Sequence, residues 1–301
     1  MKRKDKIRLI VTSPKSYIYS KKYKKPTVMN DFETIEYILK SGCSIARFGD
    51  GELDLMIGVD LYFQDATPEI QRKLREVAQE KRGELLLCVP NIFEGKRKLR
   101  EQFSDSSYNF WRHHLWVTKG YWYKIFGQDK VYGDTNISRF YIEKKDKKDR
   151  SEYVKNLKLL FKDKALLFVE GENTKLGIGN DLFGDMAADD CKVRRILCPA
   201  KNAFNVYEKI LAVVKENAKK DELIVCALGP TATVLCRDLC VEGYQALDLG
   251  HIDSEYVLFQ KEATQQPEED ALNYKSKMVD SCDEQEMINY ERQIICRITQ
   301  E

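Results

Sequence analysis

The chain of 301 residues carries 50 Lys and Arg against 48 Asp and Glu, a formal charge of +2, with 43% hydrophobic and 11% aromatic residues. The length suits two ordinary domains or one larger α/β unit, and the composition is that of a chain that buries a core. Charges that nearly cancel exclude nucleic-acid binding by bulk electrostatics and an acidic solvating tail.

Met1-Lys2-Arg3-Lys4 begins like a secretion signal, but the apolar stretch behind it is broken at Arg8 and ends by Pro14, so no signal is assigned. Lys15 to Lys25 places five lysines among Tyr17, Tyr19 and Tyr23. Residues 1–27 therefore read as a basic N-terminal segment, solvated and frayed, although the same composition suits contact with anionic lipid or polymer. A helix is expected from Asp31 to Lys40, capped by Asn30 or Asp31 and closed by Gly42, with Phe32, Ile35, Ile38 and Leu39 at helical spacing. A short strand, Cys43 to Phe48, then runs into the turn Gly49-Asp50-Gly51-Glu52. Pro68 suits a first helical position, Ile70, Leu74 and Val77 share one face, and Glu84 to Val89 reads as a strand. Residues 103–126 hold nine aromatic side chains, from Phe103 to Phe126, on one or two helices; such a stripe is core or, less commonly, a platform for sugars. His113 and His114 within it read as structural.

Lys144 to Arg150 is a charged connector and the best candidate boundary. Beyond it helices and buried strands alternate: helix 151–161, strand 165–169, helix 181–187, strand 193–197, helix 202–218, strand 222–227, helix 231–241 and strand 244–248. This predicts an α/β fold, a Rossmann-like, mostly parallel sheet with helices on both faces. After about Lys261 the chain turns polar, and the 261–301 segment recovers an apolar pattern, that of an edge strand, only at 292–299.

The nine cysteines are odd in number and lack CxxC spacing, and most sit in apolar runs, so they read as reduced thiols of a cytoplasmic protein. With only His113, His114 and His251, no zinc site has ligand spacing. Nowhere do 18 apolar residues run together, so no transmembrane segment is expected.

In a doubly wound sheet, ligands bind beyond the carboxyl ends of the strands. Strand 222–227 ends in Leu228-Gly229-Pro230-Thr231, where threonine could cap a helix whose free N–H groups favour a diphosphate; an ordinary capped turn is the competing account. Strand 165–169 opens the loop Glu170 to Asp181, rich in glycine and polar residues, which suits a ligand loop. Asp50 and Glu52 could converge on one hard cation, with Arg47 gripping phosphate through its planar fork. Chance alone supplies roughly 8 acidic-x-acidic pairs in such a chain, so the strand-then-glycine context carries that reading. His251, just past the last strand, could complete a metal shell or contact phosphate, and a hydrogen-bonded structural role fits equally.

Taken together, Ala46-Arg47-Phe48-Gly49-Asp50-Gly51-Glu52, Leu176 to Phe183, Cys198-Pro199-Ala200-Lys201-Asn202-Ala203-Phe204, Ala227 to Leu235 and Gly243 to Asp253 resemble the bacterial glycosyltransferases of the GT-D fold, known as the DUF1792 domain. The resemblance covers roughly residues 28–260. It implies transfer of a hexose from a UDP-sugar donor, glucose or galactose, to a glycan or glycosylated-protein acceptor, with a DxE motif and Mn2+ or Mg2+. The motif falls on Asp50 and Glu52, as catalytic and metal-holding carboxylates, with His251 as a further metal ligand. Arg47, Phe48, Lys175, Asn180, Gly229 and Thr231 fall on substrate-binding positions; the family often has arginine where this chain has Lys175. Asp253 and Glu255 are acceptor-base candidates by position. The rival readings are a non-catalytic nucleotide-binding partner subunit of another glycosyltransferase and, ranked lower, a metal phosphohydrolase, which would want a second aspartate in place of Glu52. Neither nucleic acid nor a membrane span is expected, and a homo-oligomer is compatible with the sequence.

Overall fold

The computed structural model describes residues 14–184, 192–264 and 284–300. Its strands are β1 (Thr27–Val28), β2 (Ser44–Arg47), β3 (Leu85–Val89), β4 (Val131–Asp134), β5 (Ala165–Gly171), β6 (Val193–Cys198), β7 (Glu222–Ala227), β8 (Gln245–Asp248) and β9 (Ile294–Arg297). All pair in parallel, in the order β1-β4-β3-β2-β8-β7-β5-β6-β9. The first-half strands thus lie on one side, the second-half strands on the other, and β2 meets β8 between them. Lys144 to Arg150 marks no break in this sheet: Lys144 and Arg150 are buried and both pair with Asp31 Oδ2, at 2.9 and 2.7 Å.

Alternation along the strands sends side chains to two cores. Ala46, Leu87, Val169 and Cys226 belong to one; Ile45, Cys88, Phe168 and Val225 belong to the other. The helices α2 (Asp31–Ser41), α7 (Arg150–Leu159) and α10 (Ile252–Gln260) cover the second face through Ile35, Leu157 and Ile252. The opposite face is covered by α3 (Asp50–Met56), α4 (Pro68–Ala78), α5 (Lys96–Gln102), α6 (Asp105–Phe126), α8 (Tyr207–Asn217) and α9 (Pro230–Val241). A final helix, α11 (Glu284–Gln293), precedes the edge strand β9.

The regular elements follow the sequence closely. Asn30 caps α2 in a reciprocal box with Glu33, and Gly42 closes it in the left-handed region. Pro68 opens α4 with Ile70, Leu74 and Val77 buried. Three expectations need correction. The Gly49 to Glu52 turn is the start of α3, with neither glycine at positive φ. Space at Gly49 is tight instead, since a Cβ there would meet Glu52 Oε2 at 3.2 Å. The aromatic stretch, expected as one or two helices, forms one, α6, of 22 residues. Residues 181–184 are not helical, and the rest of the expected 181–187 helix lies outside the described residues. Residues 203–206 are a 3-10 turn ahead of α8. Seven of the nine cysteines lie within the described residues as free thiols, six of them buried.

The basic N-terminal segment is not frayed where it is described. Residues 14–22 form a helix, α1, laid against α6. Ser16 is buried, its Oγ accepts the Gly120 N–H at 2.9 Å, and Tyr19 meets Tyr121 edge-on at 5.6 Å. The crossing requires Gly120, because a Cβ there would stand 1.7 Å from Ser16 O. Gly120→Ala should therefore detach α1, cost about 1–3 kcal/mol and expose Lys15 to Lys25 to trypsin. Limited proteolysis followed by mass spectrometry checks this; an N-terminal segment as resistant as the wild type's would contradict the packing.

A candidate nucleotide-sugar crevice

The chain leaves β2 for α3 on one face of the sheet and leaves β8 for α10 on the other. Two neighbouring strands whose exits diverge open a crevice at their carboxyl ends. The first-half motif and the end of β8 meet there.

Arg47 builds the crevice floor. Its Nε donates to Asp248 O at 2.5 Å; Nη1 donates to Thr135 O at 3.2 Å and Ser138 Oγ at 2.6 Å; Nη2 donates to Asp248 Oδ1 at 3.1 Å and Gly250 O at 3.2 Å. A guanidinium has five N–H donors, and all five are occupied. The sequence offered Arg47 as a phosphate grip; the structure makes it the clamp between β2, β8 and the 3-10 turn Thr135–Ser138. Thr233, on the first turns of α9, seals the same junction, its Oγ1 2.9 Å from Arg47 O and 3.1 Å from Asp248 Oδ2.

Asp50 and Glu52 stand at the start of α3, above this floor. The Asp50 carboxylate is half-buried and has no hydrogen-bond or ion-pair partner among the described residues. Glu52 Oε2 accepts the Gly49 N–H at 2.7 Å, and burial, reinforced by the Asp248 charge, pushes its carboxyl up to about 7. The carboxylate of Asp50 thus lacks a hydrogen-bonded partner among the described residues, and that of Glu52 is held partly protonated by its surroundings. That is the electrostatics of a place for a cation. Among the described residues no three His, Cys, Asp or Glu side chains close on one metal position. A hard divalent ion at this place would take Asp50 and the Glu52 oxygen not bonded to Gly49 N, with water and substrate phosphate completing its shell.

Across the crevice stands Arg139, which the sequence did not single out. Its Nη2 lies 3.1 Å from His251 Nε2 and its Nη1 3.1 Å from Glu143 Oε1, and its side chain is 34% exposed. Burial opposes its charge, but Glu143, Asp50 and Glu255 together hold the guanidinium above its ordinary value. Arg139 and Arg47, with burial between them in weight, hold the His251 imidazole well below its usual range. The ring is neutral and turns Nε2 to Arg139, so in this arrangement His251 is a partner of Arg139. His114 is also close enough to feel the Asp50 charge; burial lowers its pKa and its Nε2 has no partner among the described residues.

The remaining candidates separate. Gly229 starts α9 at φ 54, ψ −144 with no side-chain cap; Pro230 has no N–H and Ala232 N donates to Gly229 O at 2.9 Å, which leaves the Thr231 N–H of the first turn for an anion. Thr231 is not the cap: it is buried, and its hydroxyl has no partner among the described residues. Phe48 is wholly buried against Phe126, at 5.0 Å, and cannot touch a ligand. Asn180 donates its amide to Asp253 Oδ1 at 2.8 Å while its Oδ1 accepts the Leu182 N–H, so it fastens its own loop. Lys175 reaches toward the Tyr290 ring of α11, 6.0 Å away. That ring stacks on Arg195 of β6, four strands from β2, about 19 Å at the usual spacing. The loop is held by other buried groups as well: Glu170 takes Arg195 Nη1 at 2.6 Å and Leu176 N at 2.7 Å. The two acceptor-base candidates are likewise structural, since Asp253 accepts Gly177 N and Glu255 accepts both Tyr141 N and Ile142 N.

Comparison with known proteins places the chain in a family. A family model described as the glycosyltransferase GT-D fold matches residues 45–275. The chain is 41% identical over 239 residues to a probable glycosyl transferase Gly of Streptococcus gordonii, covering 79% of this chain and 34% of that protein. It is 37% identical over 225 residues to glycosyltransferase GlyD of Streptococcus pneumoniae, covering 74% and 26%. The chain thus spans about a third and a quarter of the lengths of these curated relatives. Among solved structures, one described as the highly conserved domain of unknown function 1792 with a distinct glycosyltransferase fold aligns at TM-score 0.82 and 37% identity, covering 94% of this chain and 100% of that one. Another, a glycosyltransferase (DUF1792) from Streptococcus sanguinis, aligns at 0.78 and 38%, covering 91% and 100%.

Proposed function

Because the chain belongs to the GT-D fold glycosyltransferase family, we propose that it transfers a hexose, glucose or galactose, from a UDP-sugar to a glycan or glycosylated-protein acceptor, with the β2–β8 crevice as donor site. The reading is carried by the half-buried Asp50 carboxylate, which has no hydrogen bond or ion pair among the described residues and lies near enough to Arg139 for their charges to interact, where two strand exits diverge. A carboxylate so placed suits a metal cation, and an arginine suits a diphosphate.

Asp50 and Glu52 would hold a divalent ion, Mn2+ or Mg2+. When bound, such an ion neutralises diphosphate charge and stabilises UDP as a leaving group. The chain supplies the rest. Arg139, poised between His251 and Glu143, offers a planar fork to the phosphates, and its neutral imidazole neighbour adds no competing charge. The first turn of α9 offers the Thr231 N–H, whose orientation is fixed before the ligand arrives. Arg47 and Thr233 hold β2 against β8, so that the acidic and basic walls keep their separation.

The test is UDP release from UDP-glucose and UDP-galactose, with a glycan acceptor, in the presence of Mn2+ or of a chelator. Turnover should depend on the ion and fall at least about 100-fold on its removal, the order expected when transition-state charge loses its stabilising partner. UDP binding without turnover would instead support a non-catalytic nucleotide-binding subunit.

A further inference from the structure

Between α3 and α4 the chain crosses from the helix of Asp50 and Glu52 to the carboxyl ends of β6 and β7. The crossing is tightly held. Leu61 N donates to Gln64 O at 2.9 Å, Ala66 N to Asp60 Oδ1 at 2.9 Å, and Asp65 N to Asn202 Oδ1 at 2.8 Å, while Asn202 N donates to Phe63 O at 2.7 Å. Asn202 adopts a left-handed φ of 50° to make these bonds, which gives the Lys201-Asn202-Ala203 stretch after β6 a structural purpose.

Two side chains of this loop fill space that glycines leave. Leu61 Cδ1 lies 3.2 Å from where a Gly51 Cβ would stand, on the helix of the acidic pair. Phe63 Cε2 lies 2.9 Å from the corresponding point at Gly229, on the turn that opens α9. Tyr62, between them in the chain, is 71% exposed, its ring edge-on to Phe63 at 4.8 Å. A large ring held in water on a pinned loop, between the two walls of a ligand crevice, is preorganised for stacking.

We propose that Tyr62, backed by Phe63, is the stacking shelf for the nucleobase of the nucleotide donor. This rests on the reading of the crevice as a nucleoside-diphosphate-sugar site. The base is favoured over an acceptor sugar by Phe63. It packs against Gly229, at the turn that the reading above gives to the phosphates, so a ring lying on Tyr62 would be the one joined to those phosphates through ribose. Aromatic shelves accept any base through its π face, and specificity for uracil then has to come from other contacts.

Calorimetric titration of the full chain in Mn2+ with UDP and, separately, with inorganic pyrophosphate tests the shelf. Tyr62→Ala should weaken UDP about ten-fold and leave pyrophosphate unchanged; Tyr62→Phe should keep wild-type affinity for both. The exposed position predicts an unaltered unfolding midpoint for both variants, so a folding defect is separable. Unchanged UDP affinity in Tyr62→Ala, or equal loss for UDP and pyrophosphate, overturns the shelf. So does a raised acceptor KM at constant UDP affinity, which would give the ring to the acceptor. A wild-type chain that binds neither probe refutes the crevice reading itself, a result distinct from failure of the shelf alone.

Discussion

Asp50→Asn should lower kcat for sugar transfer by at least about 100-fold while moving the unfolding midpoint by no more than a degree or two. The asymmetry follows from the carboxylate's surroundings. With no hydrogen bond or ion pair to lose among the described residues, its removal leaves nothing behind it unsatisfied, and such substitutions usually fall within about 0.5 kcal/mol. The same amide keeps the shape of the side chain but not the charge, so only a role toward a cation or a developing charge is removed. Calorimetry and UDP-release kinetics on one preparation decide the matter. A variant with near-normal turnover would sink the role assigned to the acidic pair, and a variant with a large loss of stability would mean that Asp50 is structural.

Arg47→Ala should do the reverse first: it should destabilise the fold by about 3–5 kcal/mol, the usual cost of removing one partner of a buried pair. Arg47 and Asp248 are 13% and 5% exposed in their side chains, and the alanine takes the guanidinium donor from Asp248 Oδ1, Asp248 O, Gly250 O and Ser138 Oγ, leaving Thr233 and the backbone N–H of residue 47 on Oδ2. Activity should vanish with the geometry of the crevice. Arg47→Lys should recover little, because one ammonium cannot span acceptors on three elements. Chemical denaturation of both variants beside Asp248→Asn forms a double-mutant set; additive losses would show that the clamp does not act as a unit.

The contrast between these two residues marks how far the sequence could be read. The second half was legible because its strands are unbroken apolar runs and its helices keep one periodicity, so β5, β6, β7 and β8 lie within two residues of expectation. β1 and β4 were not. Thr27–Val28 is two residues long, and the Val131-Tyr132-Gly133-Asp134 run has no apolar pattern. Its glycine is there because a Cβ would stand 2.7 Å from Cys88 Sγ on β3, a tertiary fact. Likewise α3 begins on Asp-Gly, poor helix formers, because Glu52 reaches back to Gly49 N and Leu53, Leu55 and Met56 are buried. At the site, Asp50 and Glu52 were visible as a motif and do stand beside the end of β8. The assignment of the arginines was not visible, because sequence reveals a guanidinium but not which of its N–H groups already have acceptors. Arg139 lies in Ser138-Arg139-Phe140, which follows no recognisable pattern. Asp248, the one acid in Ala246-Leu247-Asp248-Leu249, was the available hint that a cation lay opposite.

The order of the strands has a mechanical consequence. Every strand of the first half lies on one side of a single line, every strand of the second half through β9 on the other, and that line runs between β2 and β8, where the ladder gives only Ile45 opposite Leu247. Elsewhere, β5 is laced to β7 over six successive residues. The backbone ladder is therefore shortest along its middle, and the Arg47 and Thr233 side chains carry the junction there. A ligand held by Asp50 from one half and by the α9 turn from the other would lie across that line like a suture and add one more tie between the halves.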